Sequence, residues 1–400
     1  MVNQWKQSIE VELNGNILPF WRQRTIDNAR GGFLGRIAHD GTADPEADKG
    51  LILNARILWT FARAYRFYGN EADLDLARRA FDYIDRYFVD REFGGVYWSV
   101  TAEGKPADTT KRFYAQAFAI YALAEFFHAA ASPAALTLAL SLVDVIEQHA
   151  HDGANGGYIE ACACDWSEAA DQRLSATDMD ERKSMNTHLH LLEAYTGLLA
   201  VYDEERLRRR LRELIEIFLD HIIDSESYHL LLFFDDQWTP RSRKISFGHD
   251  IEGSWLLSEA AQILGDESLL AQVRPIAFKM AAAVLAQGID REGGLMYEAE
   301  NGAIADSDRH WWPQAEAVVG FLNAYQMSRE ERFLRAAQRS WSFIVARLVD
   351  HKNGEWFWLI RQNGTTDPER DKAGPWKCPY HNARVCFEVM ERLDALFPKP

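Results

Sequence analysis

The sequence predicts an all-α fold, an (α/α)6 barrel in which twelve helices form two rings with short β-hairpins at one end. Two observations predict this fold. A short phrase that begins with Asp recurs in six copies, five of which contain glycine, and a helical pattern of apolar residues fills the segments between the copies. A regular period along a whole chain is typical of repeat architectures. We therefore expect residues 1–400 to form one domain.

The recurring phrase marks one turn in each repeat. It is clear in Asp90-Arg-Glu-Phe-Gly-Gly-Val-Tyr-Trp, whereas the fourth copy, Asp224-Ser-Glu-Ser-Tyr-His-Leu, lacks the glycines. The six copies begin at Asp27, Asp90, Asp152, Asp224, Asp290 and Asp350, which lie 60 to 72 residues apart. Repeats of open helical solenoids span only roughly 33–47 residues. We therefore expect the helix pairs to close into a barrel, with the glycine turns gathered at one end.

The segments between the turns have the pattern of amphipathic helices. Apolar residues recur at three- and four-residue spacings, and Ala, Leu, Arg and Glu predominate. Clear examples are residues 54–65, 74–88, 114–128, 136–150 and 255–264. Each period holds two helices, so six periods supply the twelve helices of the predicted barrel.

Composition predicts a soluble protein that binds neither nucleic acid nor a membrane. The chain is 47% hydrophobic, and its net charge of −16 disfavours anionic partners. We find no apolar run of 18 residues, no secretory signal behind Met1, and no zinc spacing among the four cysteines. Glycine-rich nucleotide-binding loops are also absent from the sequence. We expect a cytoplasmic monomer or weak homodimer with no metal and no other cofactor.

His249 and Glu252 are the first candidates for chemistry. They lie three residues apart in a predicted helix and therefore share one face. A carboxylate in that position can hold the imidazole in one tautomer and raise its basicity, which suits a general acid–base group.

Two further segments place candidate residues on common helix faces. Asn186 and His190 are four residues apart, and so are Trp312 and Glu316. His188 points about 200° away from His190, because a helix turns by roughly 100° per residue. The two histidines are therefore a poor zinc pair, since zinc-binding histidines on a helix are usually four residues apart.

Tryptophans lie close to these candidates. Trp376 and His381 fall in a proline-punctuated segment that we expect just before the last helix. We expect most of the thirteen tryptophans to pack between helices. Trp311, Trp312 and Trp376 are the exceptions, because they adjoin the candidate histidines and their flat rings suit stacking on sugars.

Four segments resemble the N-acylglucosamine 2-epimerase superfamily. They are Met185-Asn-Thr-His-Leu-His-Leu-Leu-Glu, Phe247-Gly-His-Asp-Ile-Glu-Gly-Ser-Trp, His310-Trp-Trp-Pro-Gln-Ala-Glu and Gly374-Pro-Trp-Lys-Cys-Pro-Tyr-His-Asn. They occur in the order found in that family, and the resemblance covers essentially the whole chain. Within the superfamily the segments look most like the cellobiose 2-epimerases. The family fold is an (α/α)6 barrel, in agreement with the repeat count.

The resemblance implies a role for each candidate. His249 and His381 match the paired acid–base histidines, Glu252 matches the carboxylate that orients His249, and Arg56 matches the arginine that stabilises the enediolate oxygens. His190 looks like a contact to the reacting hydroxyls, with His188 as the less favoured alternative. The remaining implied substrate contacts are Tyr114, Asn186, Trp311, Trp312, Glu316 and Trp376.

The implied activity is cofactor-independent epimerisation at C2 of the reducing-end glucose of β-1,4-linked disaccharides such as cellobiose and lactose. After ring opening, histidines would remove and return the C2 proton through a cis-enediolate that needs stabilisation at its oxygens. An epimerase or isomerase of free monosaccharides, mannose above all and N-acylglucosamine less so, could use the same residues. A glycoside hydrolase would instead need two carboxylates, and a non-catalytic sugar-binding protein would need no histidine pair.

Overall fold

Each recurring aspartate organises one tight turn in the computed structural model, which describes residues 2–398. In the second repeat, Asp90 Oδ1 accepts the backbone N–H groups of Glu92 at 3.0 Å and Phe93 at 3.1 Å. The other oxygen pairs with Lys111 Nζ at 2.6 Å, and this ammonium also donates to the Gly94 carbonyl at 2.9 Å. These charge-assisted bonds satisfy the buried groups of the turn and fix the path of the chain.

An ion pair between the aspartate and a following Lys or Arg leads into the next inner helix in five of the six repeats. The pairs are Asp27–Lys49, Asp90–Lys111, Asp152–Lys183, Asp290–Arg309 and Asp350–Lys372. In the fourth repeat Ile245 stands two residues before the helix, where Lys111 stands in the second. There, His229 Nδ1 and Asp250 Oδ2, 2.7 Å apart, join the turn to the helix instead. The copy without glycines therefore also uses a different anchor.

Twelve helices within residues 2–398 alternate between an outer and an inner ring, which confirms the predicted barrel. The outer helices are α1 (Val2–Glu12, continued by a π-helical turn Leu13–Ile17 into Leu18–Arg24), α3 (Glu71–Tyr83, with a π-helical turn Ile84–Phe88), α5 (Pro133–His149), α7 (Glu205–Ile217, with a π-helical turn Phe218–Ile222), α9 (Glu267–Gln287) and α11 (Glu331–Phe343, with a π-helical turn Ile344–Leu348). The inner helices are α2 (Leu51–Tyr68), α4 (Phe113–Ala130), α6 (Met185–Leu199), α8 (Phe247–Leu264), α10 (Trp311–Ser328) and α12 (Tyr380–Leu396).

The extent of burial differs between the outer and the inner helices. Outer helix α7 buries one stripe, which includes Leu207, Leu211 and Leu214, whereas inner helix α10 is buried along most of its length. Inner helices contact one another in chain order, and α12 returns to α2, so the ring closes. Helix α9 is long and apolar enough to span a membrane, but it packs against α8 and α10 as an outer barrel helix does.

Fourteen short strands within the described residues lie between an outer helix and the following inner helix, so they gather where the inner helices begin. They are β1 (Arg36–Ile37), β2 (Ala43–Asp44), β3 (Lys49–Gly50), β4 (Ser99–Val100), β5 (Pro106–Asp108), β6 (Lys111–Arg112), β7 (Ala161–Cys162), β8 (Lys183–Ser184), β9 (Phe233–Phe234), β10 (Lys244–Ser246), β11 (Glu298–Glu300), β12 (Ala303–Asp306), β13 (Arg309–His310) and β14 (Leu359–Ile360). The predicted hairpin end of the barrel is therefore present.

The strand pairs link each repeat to the next. The antiparallel sheets are β1–β2, β3–β4–β5, β6–β7, β8–β9, β10–β11–β12 and β13–β14, and all but the first join neighbouring repeats. A backbone bridge between Ile37 and Ala373 joins the last repeat to the first. The chain thus closes at the strand end as well as in the helical ring, which holds the first turns of the inner helices at a common level.

Candidate active site

Residues at the same position along the inner helices form a ring of side chains inside the barrel. The sixth residues of α2, α4, α6, α8 and α10 are Arg56, Phe118, His190, Glu252 and Glu316, and α12 contributes Arg384. The guanidinium carbon of Arg56 lies 4.1 Å from the Phe118 ring centroid, and the Phe118 and His190 rings are 4.6 Å apart. Because helices that begin at one level carry the same turn at the same depth, residues from six repeats meet here.

Buried Arg384 joins two histidine–glutamate pairs. His381 Nδ1 bonds Glu316 at 2.7 Å, and His190 Nδ1 bonds Glu193 at 2.9 Å. Arg384 donates to Glu316 through Nη2 at 2.8 Å and to Glu193 through Nη1. A carboxylate only accepts hydrogen bonds, so each neutral imidazole keeps its proton on Nδ1 and leaves Nε2 free to take another.

Glu252 does not orient His249, which contradicts the expectation from their spacing. The Glu252 carboxylate accepts from Arg384 Nη2 at 2.7 Å. His249 Nδ1 instead bonds the hydroxyl of Ser246 at 2.7 Å. A buried guanidinium is a stronger partner for a carboxylate than a neutral ring, so Glu252 joins the network of Arg384.

His188 belongs to the scaffold of the repeat. Its Nε2 accepts the N–H of Tyr158 at 2.9 Å, and its Nδ1 bonds the carbonyl of Ser184 at 2.6 Å. Gln116 and Gln314, at the same position of α4 and α10, likewise accept a backbone N–H from the segment just after the glycine turn. Backbone groups engage both ring nitrogens, which contradicts the substrate contact expected of His188.

Replacing His188 by glutamine is expected to leave the free energy of unfolding close to that of wild type, because glutamine has the same role in α4 and α10. Leucine at position 188 leaves the buried Tyr158 N–H without a partner and should lower that free energy by about 1–3 kcal/mol. Denaturant unfolding of both variants measures the difference. An equal loss in the two variants would contradict the scaffold role.

The pH dependence of stability gives a second test of buried His188. Burial lowers the pKa of His188 from 6.5 to about 4. As the pH falls below about 6.5, the unfolded chain binds a proton that the folded protein does not, so stability is lost between pH 6.5 and 4 at up to about 1.4 kcal/mol per pH unit. His188→Gln should make the unfolding free energy less steep over this range, and a slope equal to that of wild type would refute the assignment.

Arg56 lies in an aromatic cluster with three other predicted site residues. Its Nη2 donates to the Tyr114 hydroxyl at 3.1 Å, and its Nη1 donates to the Trp376 carbonyl at 3.4 Å. The Tyr114 ring lies 5.9 Å from the Trp376 ring and 4.9 Å from that of His190. The structure therefore brings together Arg56, Tyr114, His190 and Trp376.

Trp312 packs beside both of the histidines proposed as an acid–base pair. Its ring centroid lies 4.7 Å from His249 and 5.8 Å from His381. Gly248 permits this approach, since a Cβ there would come within 2.5 Å of the indole. His381 is the second residue of α12 rather than part of the preceding loop. His249, Trp312 and His381 thus form one continuous cluster.

Two predicted substrate contacts lie in other surroundings. Trp311 is buried, with its ring 4.7 Å from that of Trp358, and so contributes to the core. Asn186 does not bond His190, whose Nδ1 is held by a carboxylate. With Glu160, Asn186 lines a small cavity of about 30 Å³.

Glu252, Glu316 and His381 have the spacing of a possible metal site, with donor atoms within 4.8 Å of one another. Arg384 Nη2 lies 2.7 Å from one carboxylate and 2.8 Å from the other. A fixed positive charge therefore already pairs with both groups, and a divalent cation placed beside it would be repelled. The donor set does not fit a metal with Arg384 in place, and the predicted absence of a metal stays a prediction.

Burial keeps the imidazoles of the site neutral at neutral pH. It lowers the pKa of both His249 and His381 to about 3, and it also lowers the pKa of His190. At His381 the Glu316 carboxylate opposes this shift. A neutral imidazole with a free Nε2 has a lone pair that can accept a proton.

The three glutamates around Arg384 differ in their protonation. Burial alone would raise their pKa values, but Arg384 and the paired histidines hold those of Glu193 and Glu316 at about 2. Burial and the nearby Glu316 charge raise the pKa of Glu252 well above its usual value. Two carboxylates therefore remain charged beside Arg384, while Glu252 is biased toward its neutral form.

Three residues of the site are missing from the sequence-based prediction, although two of them had a signal. Glu193 stands three residues after His190, the same spacing that suggested the His249–Glu252 pair, and Arg384 stands three residues after His381. Ser246 had no signal, because a serine before a helix is most simply interpreted as its N-cap.

Comparison with known proteins decides the family. Residues 32–384 match the profile of the N-acylglucosamine 2-epimerase (GlcNAc 2-epimerase) family. The chain belongs to this family. This epimerase, an isomerase, is 48% identical to the cellobiose 2-epimerase of Bacteroides fragilis over 96% of its own chain and 98% of the relative. It is 38% identical to the cellobiose 2-epimerase of Dictyoglomus turgidum over 97% and 98% of the two chains.

A solved structure agrees with the fold of the epimerase. Cellobiose 2-epimerase from Bacillus thermoamylovorans B4167 superposes with a TM-score of 0.93 at 38% identity, covering 98% of this chain and 100% of the other. A surface groove of about 720 Å³ lies between α1 and the turn at Asp350 and contains none of the clustered histidines. The histidine cluster is therefore the candidate active site.

Proposed function

We propose that this epimerase inverts C2 of the reducing-end glucose in β-1,4-linked disaccharides, converting cellobiose to glucosyl-mannose and lactose to epilactose. The observation that carries the proposal is the placing of His249 and His381, two imidazoles that share Trp312 as a neighbour. Relatives of 38–48% identity that are named cellobiose 2-epimerase support the choice of a disaccharide.

Epimerisation needs a base on one face of C2 and an acid on the other. After the sugar ring opens, Nε2 of one imidazole takes the C2 proton, and the electron pair of the broken C–H bond enters a cis-enediolate. The other imidazole takes up a proton from solvent, because the negative charge of the enediolate favours its protonated form, and returns that proton to the opposite face of C2. His249 and His381 exchange these roles between the two directions of the reaction, and no redox step or cofactor is required.

The enediolate carries negative charge on O1 and O2, which must be stabilised as it develops. Arg56 is the cation we assign to these oxygens, because Tyr114 and the Trp376 carbonyl hold its guanidinium beside His190. We assign His190 to the reacting hydroxyls, with Glu193 fixing its orientation.

The two half-buried tryptophans of the site suit the two rings of a disaccharide. Trp312 adjoins the paired imidazoles, so we assign it to the reducing-end sugar. Trp376 adjoins Tyr114 and Trp98, so we assign it to the distal sugar. Glu316 serves this site through His381, whose Nδ1 it holds.

Product analysis with cellobiose, lactose, mannose and N-acetylglucosamine tests the proposed substrate. We expect glucosyl-mannose from cellobiose, epilactose from lactose, and little turnover of the two monosaccharides. Turnover of mannose without turnover of cellobiose would overturn the proposal in favour of a monosaccharide isomerase or epimerase. Release of free glucose would indicate a hydrolase, and sugar binding without any product would indicate a non-catalytic protein.

A further inference from the structure

Ser246, the residue before α8, does not cap its helix. The equivalent serine before α6, Ser184, accepts the backbone N–H of Thr187 at 3.1 Å, as an N-cap serine ordinarily does. The Ser246 hydroxyl accepts no backbone N–H of α8. It bonds the imidazole of His249 instead, at 2.7 Å from Nδ1. The Ser246 hydroxyl therefore bonds the His249 imidazole in place of a backbone N–H of α8.

His249 is fixed on two sides, which leaves one polar atom for chemistry. Ser246 holds Nδ1, and the Trp312 ring packs against the imidazole at a centroid distance of 4.7 Å. Nε2 bonds no protein group within residues 2–398, and the side chain is only partly buried. A ring held in this way presents Nε2 to the site.

A hydroxyl is a suitable partner for His249 because of the charge already present. The charged or titratable groups around this imidazole are His190, His381 and Glu316. The first two already have carboxylate partners, and Glu252 lies in the same network. A further carboxylate would place more negative charge beside an enediolate, which opposes its formation. A neutral hydroxyl orients the ring without that penalty.

We propose that Ser246 is a positioning residue for catalysis, whose hydroxyl holds His249 so that Nε2 faces C2 of the sugar. This inference rests on the proposed function, because it assigns Ser246 to the acid–base step of that reaction. Ser246 acts through His249 and does not itself contact the substrate.

Steady-state kinetics of Ser246→Ala and Ser246→Thr with cellobiose test the inference. Loss of one hydrogen bond, about 0.5–1.5 kcal/mol, corresponds to a fall in kcat of about 2- to 12-fold for Ser246→Ala. KM should change by less than about twofold, because the sugar does not contact the hydroxyl. Threonine keeps the hydroxyl and should restore most of kcat.

Ser132→Ala provides the matched control, since Ser132 caps outer helix α5 by accepting the N–H of Ala135 at 3.4 Å. It should leave kcat unchanged. Wild-type kcat in Ser246→Ala, or a fall in kcat that threonine does not restore in a folded protein, would overturn the inference. Failure of the wild-type protein to act on any of the four sugars would instead overturn the proposed function, so the two failures are distinguishable.

Discussion

Replacing His381 by glutamine is expected to lower kcat for cellobiose by about 10²- to 10⁴-fold, the range for loss of a general acid–base group. Glutamine occupies similar space and can still bond Glu316, but it cannot carry a proton between the solvent and C2. His249→Gln should have an effect of the same order, because the proposed mechanism uses one imidazole on each face. Steady-state kinetics of the purified variants measures both effects.

His188→Gln is the matched control for these variants, since it makes the same chemical change on a histidine that supports only the backbone. It should retain a kcat close to that of wild type. A rate for His381→Gln or His249→Gln within about threefold of this control would contradict the assigned acid–base role of that residue.

Replacing Arg384 by methionine is expected to damage stability and activity together. Glu193, Glu252 and Glu316 would lose the buried cation that they share, which should lower the free energy of unfolding by about 3–5 kcal/mol. Two of these carboxylates orient His190 and His381, so kcat should also fall by at least about 100-fold. Denaturant unfolding and steady-state kinetics of the same preparation measure the two losses.

Arg392→Met is the control for Arg384→Met. Arg392 lies two turns further along α12 and also packs near the Trp255 ring, but it pairs with Glu388 rather than with the site. It should leave kcat unchanged.

Arg384→Lys should fold and yet have a lower kcat, because one ammonium cannot reproduce the planar guanidinium that bonds several carboxylates at once. Full activity in the lysine variant would show that the geometry of the guanidinium does not matter.

The fold could be predicted because interactions between residues close in sequence define the turn of each repeat. Each turn needs an Asp that accepts backbone N–H groups from the next few residues, so it leaves a local signal in every repeat. The number of copies then gives the number of helix pairs. The different anchor of the fourth repeat, His229 with Asp250, could not be predicted, because it occurs in one repeat only and leaves no recurring signal.

The site could be predicted in part. Helical spacing and family resemblance select all of the candidate residues for one site, and the structure places Arg56, Tyr114, His190 and Trp376 together. It also places His249, Trp312 and His381 together. Spacing failed where two partners compete for one group: His249 and Glu252 share a helix face, yet Arg384 from another helix binds Glu252. Contacts between helices that are more than a hundred residues apart in sequence depend on the closed ring, and local spacing does not report them.

The role of His188 also could not be predicted from local sequence. The sequence places His188 two residues from His190 in a segment that resembles the family motif, and so predicts a contact to the sugar. Comparison of equivalent positions in the folded repeats gives its actual role, because Gln116 and Gln314 stand at that level and serve the backbone.

Incubation of the protein with cellobiose in deuterium oxide tests the central claim most directly. Two imidazoles that exchange protons with solvent should place deuterium at C2 of the glucosyl-mannose formed, and NMR or mass spectrometry of the product detects it. The account predicts one deuterium at C2 in the product of each turnover. Glucosyl-mannose that carries the original hydrogen at C2 and no solvent label would contradict proton transfer through His249 and His381.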